Sequence, residues 1–143
     1  MESPKPVEYA SGKASLGSDG LIDLTIFGVH TFEDNVKLFA FLHAASAFRR
    51  GQKQPVLIRV NMREMVRADF RARQNTYKQS LTFDLDCLCY VGGKNGAGKE
   101  LLKLALRMFD PNRFHYFESM DEARDWLLDY KKRKLSKDRA VKL

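Results

Sequence analysis

The alternation of short apolar segments with longer helical segments constrains the fold of this chain most strongly. Four short segments rich in β-branched or aromatic residues predict strands: 21–27, 56–60, 87–91 and 114–117. Helical periodicity lies between and after them, at 31–50, roughly 64–80, 100–109 and 119–130. One more strand is expected near residues 8–16, and Gly28 is expected to end the strand that begins at residue 21. The order β-α-β-α-β-α-β-α predicts an α/β domain with a single mixed, mostly parallel sheet and right-handed crossovers.

Capping patterns support the predicted helix ends. Thr31 precedes Asp34 by three residues, and Ser119 precedes Glu122 by the same interval, which is the spacing of a capping box. Gly51 follows the first helical segment, where glycine commonly provides the C-terminal cap. These signals predict where the first and last helices begin and where the first one ends.

Charge and length together divide the chain into three parts. Its 143 residues suit one domain, which we expect at 8–130, after a loose lead-in at 1–7. The net charge is +7, but residues 131–143 contain seven basic side chains and one acidic side chain, and so carry +6 of it. This basic tail is either a solvated helix end or a contact for nucleic acid or anionic membrane. The tail has no aromatic residue to stack on bases, which favours the solvated helix end.

Several classes of protein are not expected from this sequence. The longest uncharged stretch, Leu38 to Phe48, is 11 residues long, whereas a membrane-spanning helix needs about 20 apolar residues. The first residues have no apolar export signal, so a cytoplasmic location is expected. Cys87 and Cys89 share one side of a predicted strand, and two thiols alone do not complete a zinc site. No metal or cofactor is therefore predicted.

The segment Gly93–Lys99 nearly matches the phosphate-binding P-loop pattern G-x-x-x-x-G-K-[ST]. It follows a predicted strand and opens a predicted helix, as a P-loop does. Glu100, however, stands where a hydroxyl must hold magnesium, and its charge would repel phosphates. Three interpretations stay open: a nucleotide site, weak anion binding assisted by Lys94 and Lys99, or a glycine-rich turn.

No catalytic motif is recognisable in this chain. His30, His43 and His115 fall in three different predicted elements, and neither G-x-S-x-G nor H-E-x-x-H occurs. We therefore expect a protein that is not an enzyme and has no catalytic residues.

The helix predicted at 31–50 is apolar on two sides, whereas a helix on a sheet usually has one apolar stripe. One side carries Phe32, Val36, Phe39, Ala40, His43 and Ala47. The other side, called here the first-helix surface, carries Leu38, Phe41, Leu42, Ala45 and Phe48. Either flanking helices cover the extra side within the monomer, or it forms a self-association interface or an apolar ligand groove.

Three arginines recur every four residues in the helix predicted at 64–80. Arg63, Arg67 and Arg71 would stack on one side of it, with the core side formed by Val66, Phe70 and Tyr77. Like charges at this spacing repel, so this arginine row either contacts an anion or acidic partner or is neutralised internally by Glu64 and Asp69.

The layout resembles the STAS superfamily of anti-sigma-factor antagonists, and in particular its SpoIIAA-like branch. The resemblance covers residues 20–130 and rests on three pieces. They are the strand ending at Gly28 with the capped helix after it, the strand Val56–Val60 with its polar turn, and the ending Arg113–Phe117 followed by Glu122–Leu127. The most specific piece is the short aromatic strand followed by Glu-Ala-x-x-Trp-Leu.

That resemblance implies a sheet of four or five strands with an antiparallel edge strand and helices mainly on one face. It also implies a regulatory or ligand-sensing module without metal or catalysis. Phosphorylatable members have an Asp-Ser step after the strand that Val56–Val60 matches. Asp69 matches the acidic position, but no Ser or Thr follows it, so no phosphorylation switch is expected.

The function predicted from the sequence is a non-catalytic regulatory or ligand-binding module. The resemblance implies an apolar or lipid-like ligand, with a protein partner as the other choice and a homodimer through the first-helix surface as a further expectation. The alternative, from a different class, is a nucleotide- or phosphate-binding protein that uses Gly93–Lys99.

Overall fold

The structure is a computed structural model, and it describes residues 2–92 and 112–141. The described strands are β1 Val7–Tyr9, β2 Gly12–Leu16, β3 Ile22–His30, β4 Leu57–Ala68, β5 Cys87–Val91 and β6 Phe114–Phe117. The described helices are α1 Phe32–Gly51, α2 Phe70–Ser80 and α3 Met120–Val141. The helix predicted at 100–109 and the P-loop-like segment lie outside the described residues.

The strands form one mixed sheet in the order β1-β2-β3-β4-β5-β6. The pairs β1–β2 and β2–β3 are antiparallel, and the pairs from β3 to β6 are parallel, which confirms the predicted sheet type. The described sheet has six strands instead of four or five, because residues 8–16 form a hairpin where one strand was predicted. Gly12 permits the close approach of β2 to β3, since a Cβ there would lie 2.0 Å from the carbonyl oxygen of Thr25.

Strands β3 and β4 run further than the sequence predicts. Gly28, with a φ of 64°, lies inside β3 at a register shift, so it forms a bulge and does not end the strand. β4 continues to Ala68, which pairs with His30. The helix predicted from residue 64 is therefore wrong at its start, because pairing with the end of β3 outweighs the helical spacing of residues 64–68. The helix α2 begins only after Asp69, whose side chain accepts a hydrogen bond from the Ala72 N–H at 2.7 Å.

The sheet is covered on both faces, because strand residues alternate between them. On the first face, the strands and α1 form an apolar core that includes Ile22, Leu24, Ile58, Val60, Leu88, Leu38, Leu42 and Ala45. On the second face, α3 covers a smaller core formed by Leu21, Leu57, Cys87, Cys89, Val91, Ala123 and Leu127. α2 packs beside α1 over the first face, so two of the three described helices share that face.

The predicted caps are largely confirmed. The Thr31 hydroxyl accepts from the Asp34 N–H at 3.3 Å, and the Ser119 hydroxyl accepts from the N–H of Glu122 at 3.4 Å. The prediction for Gly51 is wrong, since this residue is the last of α1 and the cap is Gln52. The residue with a positive φ after this helix is Lys53, at 57°.

The predicted boundary between domain and basic tail falls inside α3, which continues as a helix to Val141. The ammonium group of Lys131 donates to the backbone oxygen of Asp19 at 3.2 Å, and Lys134 forms an ion pair with Asp86. Asp86 also accepts from the Val56 N–H at 2.7 Å and pairs with Arg50 at 2.9 Å. No helix in the described residues is both long enough and apolar enough to span a membrane.

Burial alone would raise the pKa of the Asp86 carboxyl, whose side chain is 8% exposed. Hydrogen bonds from Lys134 and Val56, with the charges of Lys134 and Arg50, nevertheless lower that pKa below its ordinary value. Asp86 is thus an ionised anchor that ties the first part of the basic tail to the end of α1 and to the residue that precedes β4.

A candidate ligand-binding cavity

A cavity of about 440 Å³ lies between the first face of the sheet and the helices α1 and α2. Most of its described lining is apolar. The strands contribute Leu24, Ile26, Ile58, Val60, Met62, Met65, Leu88 and Phe114, and α1 contributes Leu38, Phe39 and Leu42. The sheet and α1 therefore provide two walls that suit an apolar molecule.

The third wall is α2, and its composition explains why the space stays open. This helix turns Arg73, Thr76, Tyr77 and Ser80 towards the cavity, at the i, i+3, i+4, i+7 spacing of one helix face. Only Ala72 of α2 is buried. A helix with an apolar face would fill the space over the sheet, but this one offers two short hydroxyl side chains and two long polar ones that extend to solvent.

At one end of the cavity lies a polar cluster, called here the Asn35 network, formed by the buried Ser11, His30 and Asn35 and the half-buried Asn75 and Thr76. The Asn35 amide nitrogen donates to Nε2 of His30 at 3.0 Å and to the Thr76 hydroxyl at 2.9 Å. Its oxygen accepts from the Asn75 amide at 2.6 Å. Since α2 buries little apolar surface, these bonds are a large part of what holds it against α1.

The protonation of His30 follows from this network. Because Nε2 accepts from Asn35, the ring proton sits on Nδ1, which donates to the Ser11 hydroxyl at 3.0 Å. Burial lowers the pKa of His30, against the opposing charges of Asp34 and Asp69, so the ring is neutral. A histidine that donates its proton to a serine is not placed to deprotonate it, and Ser11 does not line the cavity. The Asn35 network instead links the β1–β2 hairpin, β3, α1 and α2 through hydrogen bonds.

Sequence reasoning treated His30 as one of three scattered histidines and missed this network. Its members come from the β1–β2 hairpin, from β3 and from two helices, so no local spacing unites them. The available signal was the presence of polar residues within segments predicted to be buried.

The first-helix surface lies on the inner side of α1. Leu38, Phe41, Leu42 and Ala45 are buried in the core and Phe48 is half-buried, so they do not form an exposed interface. Leu38 and Leu42 do line the cavity. The other predicted stripe is divided, since Phe39 is buried and lines the cavity whereas Val36 is 46% exposed on the outer side of α1.

The arginine row does not exist as one face of a helix. Arg63 and Arg67 lie on β4, and only Arg71 lies on α2, where its guanidinium stands 4.2 Å from the centroid of the Phe32 ring. The side chains predicted to form its core side are instead exposed, Val66 by 65%, Phe70 by 64% and Tyr77 by 48%. The other residues predicted to contact an anion, Lys94 and Lys99, lie outside the described residues.

In the part of the chain that the structure describes, no three His, Cys, Asp or Glu side chains are grouped so that they could hold a metal ion. Cys87 and Cys89 lie buried under α3, where their mutual hydrogen bond and burial raise the pKa of the Cys89 thiol. A thiol with a raised pKa is a poor nucleophile and a poor ligand at neutral pH.

Comparison with known proteins supports the fold. No protein-family model and no curated protein matches this chain. A similar solved structure is that of an uncharacterised protein of the DUF3478 family from Shewanella loihica PV-4, described as having a SpoIIAA-like fold. It superposes with a TM-score of 0.63 at 19% sequence identity, over 89% of this chain and 98% of that one. The chain therefore has a SpoIIAA-like fold, which confirms the resemblance seen in the sequence at the level of the fold.

Proposed function

We propose that this protein is a non-catalytic ligand-binding module that holds an apolar, lipid-like small molecule in the cavity beneath α2. The observation that carries this proposal is the cavity itself. Its volume of about 440 Å³ falls within the range of small-molecule sites, roughly 300–1,000 Å³, and its walls are mostly aliphatic and aromatic.

The energetics of such binding are favourable because the lining has few polar groups that a ligand would strip of water. Each Å² of apolar surface removed from water contributes about 25 cal/mol. The amide and imidazole groups at the polar end are already bonded to one another in the Asn35 network. Met62 and Met65 add flexible walls that adapt to ligands of different shape.

The other sequence-based candidates have less support. A protein partner or second copy on the first-helix surface would need side chains that are instead buried in the core. A hydrolytic reaction would need an activated nucleophile in the cavity. Ser11 lies outside the lining, and His30 is in the wrong tautomer to activate it. The hydroxyls of Thr76 and Ser80 do line the cavity, but Thr76 accepts from the Asn35 amide at 2.9 Å and Ser80 donates to the Thr76 backbone oxygen at 2.6 Å. Binding without chemistry is what the described cavity favours.

The test uses N-phenyl-1-naphthylamine, an uncharged apolar dye that fluoresces when it leaves water. Ser80→Trp would place a large side chain into the cavity from α2 without altering the sheet core. Lys78→Trp is the matched control, because Lys78 is exposed on the same helix and does not line the cavity.

We expect the dye to bind the unaltered protein saturably and with about one site. Ser80→Trp should weaken that binding at least about tenfold, while Lys78→Trp should leave it unchanged. Absence of saturable binding to the unaltered protein, or equal affinity in both variants, would refute the proposed site.

A further inference from the structure

The charged side chains in the described lining of the cavity are both positive. Two arginines, Arg73 on α2 and Arg113 just before β6, are part of the described lining, whereas none of the described Asp and Glu side chains is. Neither arginine forms an ion pair with a carboxylate in residues 2–92 or 112–141. A ligand that combined an apolar body with an anionic group would match this distribution.

The two arginines lie at opposite ends of the site. Parallel strands β4 to β6 run in the same direction, so Arg113, which precedes β6, is near the end where strands begin. Arg73 follows the end of β4 and lies in the first half of α2, near the Asn35 network. One small anionic group cannot contact both arginines, and the position of each has to be judged separately.

The surroundings of Arg73 suit a carboxylate better. The hydroxyls of Thr76 and Tyr77 follow Arg73 on the same face of α2. Arg73 is the fourth residue of α2, and the first turn of a helix favours negative charge. Arg113, by contrast, neighbours the apolar lining residues Leu88 and Phe114 through the pairing of β5 with β6.

The nearest acidic side chain to Arg73 in the sequence is already engaged. Asp69 accepts from the Ala72 N–H at 2.7 Å through one oxygen and from the Phe32 N–H at 3.2 Å through the other. The Arg73 side chain lines the cavity and is exposed, with its guanidinium 5.8 Å from the centroid of the exposed Phe70 ring, which places it at the mouth of the cavity. A carboxylate that pairs with Arg73 at this position stays in contact with water, so the desolvation penalty of a buried ion pair does not arise.

We infer that the ligand is a long-chain carboxylic acid whose hydrocarbon chain lies against the sheet and whose carboxylate is held at the mouth by Arg73. This inference rests on the proposed function and specifies its ligand class. Because the ion pair is at the surface, its contribution is modest and sensitive to salt.

The experiment compares decanoate with decanol, which have the same chain length and differ in the charge of the head group. Each ligand is titrated at pH 8 and low salt against N-phenyl-1-naphthylamine bound to the unaltered protein and to Arg73→Gln, and displacement of the dye is measured. Arg113→Gln tests the other end of the cavity. Arg71→Gln is the matched control on the same helix, since Arg71 stacks on Phe32 and does not line the cavity.

Arg73→Gln should weaken decanoate binding about fivefold and leave decanol binding unchanged, and 1 M NaCl should have the same selective effect on the unaltered protein. Arg71→Gln and Arg113→Gln should behave as the unaltered protein. The inference is overturned if Arg73→Gln weakens both ligands equally, if only Arg113→Gln is selective for decanoate, or if decanol displaces the dye and decanoate does not. In those outcomes the dye still binds and the proposed function stands, whereas a protein that binds no dye refutes the proposed function itself.

Discussion

On one face of the sheet, α3 brings Ala123 and Leu127 against Leu57 and Cys87, and all four side chains are fully buried. On the other face, α2 brings Arg73, Thr76 and Ser80 over strand residues that are just as apolar, and about 440 Å³ stays unfilled. Both faces of the sheet are apolar, so the difference in how completely they are filled comes from the helices that cover them. A helix with an apolar stripe closes a sheet face, and a helix with a polar stripe leaves room for another molecule.

The largest expected effect comes from truncating one leucine on each face. Leu127→Ala should lower the free energy of unfolding by about 2–5 kcal/mol, because the side chain is fully buried in a filled core. Leu42→Ala should lower the free energy of unfolding by about half as much, because Leu42 borders the cavity and its side chain contacts fewer atoms. Urea denaturation followed by circular dichroism measures both. Equal losses would mean that the first face is packed as tightly as the second.

Two C-terminal truncations probe how the α3 face is anchored. Removing residues 131–143 should leave a folded protein, since Trp126, Leu127 and Tyr130 keep their core contacts. Its unfolding free energy should fall by about 1–2 kcal/mol, because Asp86 loses Lys134.

The matched truncation removes residues 136–143 and retains Lys131 and Lys134. Its unfolding free energy should change by less than about 0.5 kcal/mol. Thermal and urea unfolding distinguish the two truncations. If both have the same effect, the Asp86 anchor contributes nothing, and if the longer truncation prevents folding, the basic tail is itself structural.

A smaller effect is expected on the cavity face as the pH falls. His30 is held neutral in the folded state, while in the unfolded chain it takes up a proton below its ordinary pKa of 6.5. The unfolded state therefore binds more protons below pH 6.5, and the free energy of unfolding should decrease there by up to about 1.4 kcal/mol per pH unit.

His30→Gln should flatten this dependence between pH 6.5 and 5. His43→Gln is the control, because His43 is an exposed histidine that bonds Gln79 at the surface, and it should keep the slope of the unaltered protein. Urea denaturation at a series of pH values gives both slopes. A slope that survives in His30→Gln would show that the Asn35 network does not depend on a neutral imidazole.

Much of the fold could be predicted because its signals are local. The strands at 87–91 and 114–117 and the caps at Thr31 and Ser119 depend on residues close in sequence. The start of α2 was mispredicted because residues 64–68 have helical spacing but pair with β3, a partner distant in sequence. The cavity could not be predicted, since it depends on where α2 lies over the sheet. The Asn35 network was likewise out of reach, because Asn35 and Thr76 are 41 positions apart.

Methionine side chains provide a probe on each face of the sheet. Met62 and Met65 line the cavity, whereas Met120 packs with the core under α3 on the opposite face. Protein labelled with ¹³C at its methionine methyl groups can be titrated with decanol and followed by NMR. The cavity account predicts saturable shifts for the Met62 and Met65 methyl signals and an unchanged Met120 signal. Shifts of equal size at Met120, or no shift at Met62 and Met65 while decanol binds, would contradict it.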